Sequence, residues 1–377
     1  MTSFLIIIDL FLFILLILNF VNIFSLKKLK LISETDSGKF VSVLIPARNE
    51  EDNIKDCLAS VLNQKCPDFE VIILNDNSTD STLDILSSFE SKKIKIINGK
   101  PLPPGWVGKN FACHQLQAEA KGDYLLFLDA DTIMEQGCIA SAVKFADTEN
   151  TGLLSLMPYE ISVSFWEKAV IPMLYFALMV FLPVPLIERS KRKEIAVGNG
   201  QFMLFSRKCY ETIGGHESLK NRIVEDVWLA KRVKEFREKL IFADGTEFVR
   251  CRMYNSLSDV WNGFSKNFFA GLSFSKSGLA VIIVMYFMLF IFPLVTLCFG
   301  IINSDQDLIK YSLIGFFIPV IIRITHSLKF HQPFLFSFLN FLSSSFIIAV
   351  AINSFRILKF GKGANWKGRN YEENVIK

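Results

Sequence analysis

Long stretches of apolar residues lie at the N-terminal end of the chain and in its C-terminal third. The first runs from Phe4 to Leu26, and the others cover roughly 279–303, 308–326 and 333–358. A helix of about 20 apolar residues crosses the hydrocarbon core of a bilayer. The pattern therefore predicts an N-terminal transmembrane anchor at 1–26, a C-terminal transmembrane bundle at 279–358 and a basic tail at 359–377.

Basic residues indicate how this protein would sit in a membrane. Lys27, Lys28 and Lys30 directly follow the anchor, and no basic residue precedes it. Because positively charged loops stay cytoplasmic, we expect a multi-pass protein of the cell membrane whose middle region is cytoplasmic. Three C-terminal crossings would place Arg356, Lys359, Lys362, Lys367 and Arg369 outside. We therefore expect that one C-terminal run does not cross, and Arg323 makes 308–326 the weakest candidate.

A shorter apolar segment near 166–188 has two interpretations. Its central part, Ala169 to Ile187, contains Pro172, Pro183 and Pro185. Prolines interrupt helices, so the segment suits the membrane interface, where a lipid head group could enter. The alternative is a helix buried in a protein core.

The region 27–278 alternates between short apolar runs and stretches with helical spacing. The helical stretches include Asn53 to Leu62 and Asp80 to Phe89, and the runs predicted as strands are Phe40 to Ile45, Glu70 to Leu74, Lys93 to Ile97 and Tyr124 to Leu128. Alternation of this kind is typical of an α/β domain with a mainly parallel sheet.

Polar clusters follow three of the predicted strands: 46–50, 75–80 and 129–131. Ligands bind outside the carboxyl ends of the strands in open α/β sheets. Asp and Asn after a strand also cap helices and close turns, and Ser78 and Asp80 could do only that. Three such clusters on successive strands favour a binding site.

The residue types of these clusters suggest a metal-bound phosphate ligand. No glycine-rich dinucleotide or P-loop motif is present, since Lys109 is followed by Asn110. Asp129 and Asp131 point the same way on an extended strand end, and carboxylates suit Mg²⁺ or Mn²⁺ bridging phosphate oxygens. We therefore predict a nucleotide diphosphate as the ligand.

Composition excludes other classes. The chain has 377 residues, 51% of them hydrophobic, and a net charge of only +4, which disfavours a purely soluble protein and a nucleic-acid binder. Its 7 cysteines include no C-x-x-C pair, so we expect reduced thiols and no structural zinc.

The ordered combination of motifs resembles the family 2 glycosyltransferases of the GT-A fold. The matching segments are 41–50 (VSVLIPARNE), 73–80 (ILNDNSTD), 128–131 (LDAD) and 224–228 (VEDVW). Further segments are similar to the branch that contains the carotenoid (diaponeurosporenoate) glycosyltransferases, namely 103–109 (PPGWVGK), 198–201 (GNGQ), 261–267 (WNGFSKN) and 366–369 (WKGR).

This resemblance implies a GT-A domain, which is Rossmann-like, together with transmembrane helices, a nucleotide-sugar donor and a role for each motif residue. Asp226 is implied as the catalytic base and Asp131 as the ligand of Mn²⁺ or Mg²⁺. Gly200, Gln201, Glu225, Trp261 and Lys266 are implied in the acceptor or diphosphate region, and the implied donor-binding residues are Pro46, Glu50, Asp76, Lys109, Asp129 and Asp131.

Structural alternatives remain for several of these residues. Lys109 could be a solvated lysine at a helix start, and Asp226 a first-turn helix carboxylate. Glu50 could pair with Arg48, Trp261 could anchor the chain at the membrane interface, and His216 is more typical of a loop than of an acceptor site.

The implied function is a membrane-bound inverting glycosyltransferase that moves a sugar, by resemblance glucose, from a UDP-sugar to a lipid such as a carotenoid acid. Alternatives are a polyprenyl-phosphate or ceramide-like sugar transferase and a silent sugar-nucleotide-binding scaffold. Two departures from the family pattern stand out. Asn75-Asp76 replaces an Asp-Asp pair, and no Q-x-x-R-W segment occurs, which disfavours a processive polysaccharide synthase.

Overall fold

The computed structural model describes residues 1–32, 38–65, 68–89, 91–360, 364–367 and 369–371. Its α-helices are α1 (Thr2–Ser25), α2 (Ile54–Leu62), α3 (Thr82–Ser87), α4 (Gly108–Glu119), α5 (Cys138–Thr148), α6 (Phe165–Val170), α7 (Met173–Phe181), α8 (Val184–Arg189), α9 (Arg207–Thr212), α10 (Glu225–Glu235), α11 (Leu257–Gly271), α12 (Lys276–Phe290), α13 (Phe292–Asn303), α14 (Gln306–Lys329) and α15 (Asn340–Phe360).

The strands are short and concentrate in the middle of the chain. They are β1 (Lys27–Lys28), β2 (Val41–Ala47), β3 (Phe69–Asn75), β4 (Ile94–Asn98), β5 (Tyr124–Leu128), β6 (Thr132–Met134), β7 (Leu153–Met157), β8 (Tyr159–Glu160), β9 (Phe202–Ser206), β10 (Leu240–Asp244), β11 (Val249–Cys251), β12 (Ala364–Trp366) and β13 (Arg369–Tyr371).

The chain forms two compact units. The helical unit consists of Met1–Ser25, Ser162–Pro185 and Tyr254–Ala364, and the sheet unit consists of Leu26–Ile161, Leu186–Met253 and the described residues from Asn365 to Tyr371.

A large twisted sheet organises the sheet unit, with strand order β1-β10-β7-β9-β5-β2-β3-β4. The central strands read as continuous apolar runs because both faces are covered, and Val43, Leu44 and Ile45 are fully buried. All pairings are parallel except those of β9, which is antiparallel to β5 and to β7. The predicted strands correspond to β2 to β5, and the mainly parallel sheet was predicted correctly. A smaller sheet of order β6-β11-β8 lies after the end of β5.

The helical unit contains the segments that are long and apolar enough to cross a membrane. By length and composition these are Thr2–Ser25, Lys276–Asn303, Gln306–Lys329 and Phe334–Phe360 among the described residues. The second is broken at Ile291, just before Pro293. All coincide with the apolar runs in the sequence.

Contacts within the helical unit answer two of the open questions. Arg323 on α14 is buried and donates to the backbone oxygen of Ala169 and to Ser343 Oγ, so this charge has polar partners. In the segment near 166–188, Met173, Tyr175 and Phe176 of α7 are buried, which favours the core-helix interpretation.

The thiols in the described residues are unpaired. Cys57, Cys113, Cys138, Cys209 and Cys251 are buried and Cys298 is exposed, as a reduced protein would have them. Cys66, Lys362 and residues 372–377 of the predicted tail lie outside the described residues.

Candidate active site

The carboxyl ends of β2, β3 and β5 meet at one edge of the large sheet. Ala47 pairs with Asn75 at the ends of β2 and β3, and the Asp76 amide donates to the Ala47 oxygen at 2.8 Å. The side-chain amide of Asn75 donates to Asn98 Oδ1, and Asn75 Oδ1 accepts from the Ser78 amide. The Asn75 side chain therefore holds this turn with one donated and one accepted hydrogen bond.

Lys109 connects the end of β5 to the start of α10. Its ammonium lies 2.6 Å from Asp129 Oδ1 and 2.8 Å from Glu225 Oε1. Burial acts to lower the pKa of Lys109, but the two carboxylates hold that pKa well above its usual value. Lys109 is therefore a fixed cation inside the site, and the solvated-lysine alternative does not hold.

The loop before β9 is packed against this charge cluster. A Cβ atom on Gly200 would lie 3.2 Å from Lys109 Nζ and 3.6 Å from Asp129 Oδ2. On Gly198 it would meet the Asp226 backbone oxygen at 2.7 Å. Glycine is therefore required at position 198, whereas a side chain at position 200 would displace the Lys109 ammonium. Gln201, which follows, is buried and its side chain contacts Glu160.

Asp226 lies in the first turn of α10, opposite Gly200. Its Oδ2 accepts from the Gly200 amide at 3.0 Å and its Oδ1 from the Val227 amide at 2.8 Å. Burial and the neighbouring Glu225 raise the pKa of Asp226 to about 7. A carboxyl group with this pKa exchanges protons readily near neutral pH, as a catalytic base must.

The backbone before α10 is strained. Val224 has φ 61° and ψ 52°, the left-handed region, which is unfavourable for a β-branched residue. Strain of this kind concentrates at functional sites, where the surrounding structure maintains it. Here it precedes Glu225 and Asp226, so it sets the direction in which both carboxylates enter the site.

Asp131 follows the end of β5 and is half-buried. Its Oδ1 is buried and has no hydrogen-bond partner among the described residues. Burial, with repulsion from Asp129 and Glu50, raises the pKa of Asp131 to about 7.

The described residues contain no group of three or more His, Cys, Asp or Glu that could enclose a metal ion. Mg²⁺ sites that use one or two carboxylates take their other ligands from substrate phosphates and water. An unpartnered Asp131 oxygen fits that arrangement and does not fit an all-protein metal cage.

Glu50 and Asp76 are paired with cations from the far end of the chain. Lys367 forms an ion pair with Glu50. Arg369 donates from Nη1 to Asp76 Oδ2 at 2.5 Å and from Nη2 to Asp76 Oδ1 at 2.9 Å. The alternative in which Glu50 pairs with Arg48 is wrong, because Arg48 donates to backbone oxygens instead. The motif at 366–369 drew attention to these residues without revealing their partners.

Other residues singled out in the sequence belong to other elements. Trp261 and Lys266 are on α11 in the helical unit, where Trp261 packs edge-on against Phe346 at 5.5 Å. Pro46 is half-buried and is the second-last residue of β2. His216 is buried and hydrogen-bonds Tyr210 at 2.7 Å, with its pKa lowered to about 3 by burial, so it is a neutral core histidine.

Comparison with known proteins agrees with this geometry. Residues 42–214 match the family described as Glycosyl transferase family 2. This part of the chain is a family 2 glycosyltransferase domain. The chain is 25% identical over 344 residues to 4,4'-diaponeurosporenoate glycosyltransferase of Staphylococcus haemolyticus (strain JCSC1435), with 90% of each chain covered.

The enzyme of the same name from Staphylococcus aureus (strain USA300) is 27% identical over 274 residues, or 70% of each chain. A solved structure, a mannosyltransferase from Pyrobaculum calidifontis in complex with GDP-Man and Mn²⁺, is similar with a TM-score of 0.53 and 13% identity over 94% of this chain and 98% of that one. The GT-A expectation for this glycosyltransferase is confirmed.

Proposed function

We propose that this enzyme transfers a sugar from a UDP-sugar to a carotenoid acid or a related lipid, with inversion at the anomeric carbon. The observation that carries the proposal is the arrangement around Lys109. It joins Asp129, on the predicted donor side, to the Glu225-Asp226 pair, on the predicted acceptor side. The similarity to diaponeurosporenoate glycosyltransferases over 90% of the chain supports the choice of acceptor.

On the donor side, Asp131 would hold the divalent cation. A cation bound there neutralises charge on the departing diphosphate. Lys109 is fixed beside Asp129 and adds a positive charge that is present before the donor arrives. Such preorganised charge costs no rearrangement during the reaction.

On the acceptor side, Asp226 faces an acceptor oxygen that approaches opposite the leaving diphosphate. The hydrogen bonds from Gly200 and Val227 fix the orientation of its carboxylate. For a hydroxyl acceptor, Asp226 takes up the proton as the new bond forms. A carboxylate acceptor has no proton to lose, and Asp226 then positions it.

Transfer assays with purified protein test the proposal. The protein is incubated with Mn²⁺ and labelled UDP-glucose, UDP-galactose or GDP-mannose. The acceptors are diaponeurosporenoate, polyprenyl phosphate, ceramide and a polar lipid extract. With UDP-glucose and diaponeurosporenoate, we expect a labelled carotenoid ester. Transfer to polyprenyl phosphate or ceramide alone would contradict the acceptor assignment, and absence of transfer to any lipid would contradict the function.

A further inference from the structure

The C-terminal strands β12 and β13 bring two cations to the donor carboxylates. Lys367 contacts Glu50 and also donates to the Asn49 backbone oxygen at 3.1 Å. Arg369 pairs bidentately with Asp76, whose carboxylate is buried. The contacting residues are 293 to 318 positions apart in the sequence. The C-terminal segment therefore lies beside the ends of β2 and β3.

The backbone of this segment is held independently of the two cations. Arg48 Nε donates to the Lys367 backbone oxygen at 3.1 Å, and the same guanidinium donates to the Asp76 and Asn77 oxygens at 2.6 and 3.0 Å. Arg48 thus links the ends of β2 and β3 to the segment. The side chains of Lys367 and Arg369 can therefore change partners while the segment stays docked.

The charge environment indicates what those new partners are. Lys367 binds Glu50, which follows β2, and Asp129 and Asp131 follow β5, the strand that pairs with β2. Lys367 therefore lies within reach of the place where a diphosphate would meet Asp131. Arg369 occupies both oxygens of Asp76, and a planar guanidinium matches phosphate as well as it matches carboxylate.

We propose that Lys367 and Arg369 are diphosphate-binding residues of the donor site, which exchange Glu50 and Asp76 for phosphate oxygens when the donor binds. This inference rests on the proposed donor, a nucleoside diphosphate sugar. The exchange keeps each cation paired in both states. It also releases Asp76 to accept a hydrogen bond from the nucleobase.

Nucleotide affinity in Lys367→Met and Arg369→Gln tests the inference. Dissociation constants for UDP and for uridine are measured with Mn²⁺ by calorimetry and NMR titration. A hydrogen bond between charged groups contributes enough that each change should weaken UDP binding by about 10-fold or more. Uridine affinity should remain the same or rise, since uridine has no phosphates. Lys95→Met is the matched control, because it removes an exposed ion pair, with Glu119, from the same unit.

Each alternative gives a different result. A segment that only blocks the site would produce variants that bind both UDP and uridine more tightly, and a merely structural role would weaken both ligands by the same factor. Unchanged UDP affinity in both variants overturns the inference alone. A wild-type protein that does not bind UDP overturns the proposed function together with it.

Discussion

Replacing Asp226 by asparagine separates the two classes of acceptor. With a hydroxyl acceptor the variant lacks a proton acceptor, and the rate should fall on the order of 10²- to 10⁴-fold. With a carboxylate acceptor the ionised aspartate is a hindrance, because two unit charges 4 Å apart repel by about 4 kcal/mol at an effective dielectric constant of 20. The amide removes this repulsion and should leave transfer largely intact.

The pH dependence provides a second measure of the same group. The pKa of Asp226 is about 7, so transfer to a hydroxyl should rise as the pH increases through that value. Transfer to a carboxylate should instead fall, because only the protonated Asp226 donates a hydrogen bond to it. Initial rates with a carotenoid acid and with the matching alcohol distinguish these profiles. Asp84→Asn, an exposed first-turn aspartate of α3, is the control. A wild-type profile that persists in Asp226→Asn refutes the assignment.

The Asp226→Asn change should raise the thermal stability of the protein even though it lowers transfer to a hydroxyl acceptor. Asp226 has an ordinary pKa of 3.8 when unfolded and about 7 when folded, so the folded state retains a proton that the unfolded chain has lost. Its contribution to stability is fully present below pH 3.8 and is lost as the pH rises through about 7. The difference corresponds to on the order of 4 kcal/mol. Asp226→Asn should therefore gain thermal stability relative to wild type above neutral pH. A variant that loses relative stability there contradicts the raised pKa.

Other substitutions test the remaining parts of the site. Lys109→Met leaves Asp129 and Glu225 without their shared cation, so its melting temperature should fall by several degrees and UDP affinity by about 10-fold or more. Gly200→Val introduces atoms where Lys109 Nζ lies, and we expect weaker donor binding in calorimetry with little change in the fold seen by circular dichroism. Asp131→Asn should lose the Mn²⁺ dependence of UDP binding while keeping its melting temperature. Cysteines introduced at Lys92 and Asn370 should both be protected from an impermeant thiol reagent in intact cells, and labelling of either one contradicts the cytoplasmic placement.

Local sequence pattern was sufficient for much of the fold and part of the site. Strands β2 to β5 are short, largely apolar runs, and polar clusters follow β2, β3 and β5. That local signal predicted both the sheet and the strand-end site. The antiparallel β9 was not predicted, since its direction depends on pairing with β5 and β7. Similarly, no local pattern shows that Val224 adopts the left-handed conformation.

The ion pairs of the candidate site could be predicted from the sequence only in part. Lys109 stood out as a basic residue at a helix start, but its two carboxylate partners come from distant β5 and α10. Glu50 and Arg48 suggested a local ion pair, and the structure instead pairs Glu50 with Lys367. Sequence reasoning favours near neighbours, whereas a buried carboxylate pairs with whichever cation the fold brings to it.

These distant pairings also bear on how the C-terminal helices cross a membrane. The described residues from Asn365 to Tyr371 belong to the sheet unit, as do the ends of β2, β3 and β5. If the stretch between Tyr254 and Ala364 spans a membrane, it must therefore begin and end on the same side of that membrane. We therefore predict an even number of crossings in that stretch, with Lys367 and Arg369 on the same side as the sheet unit, the side that the positive-inside tendency would make cytoplasmic.

Contacts inside the helical unit suggest a hypothesis for the C-terminal helix that does not cross. Ser343, near the start of α15, contacts Arg323 in the last turns of α14. Ser354, near its end, accepts from the Phe269 amide on α11, shortly before α12 begins. If α12–α13 crosses the membrane outwards and α14 crosses back, Phe269 and Arg323 both lie near the side from which α12 starts. Ser343 and Ser354 contact these two residues, so both ends of α15 then lie near that side as well. We therefore propose that α15, rather than the 308–326 run that contains Arg323, is the one that does not cross. An α15 that runs along the membrane surface is compatible with these contacts, with an even number of crossings and with the distribution of basic residues.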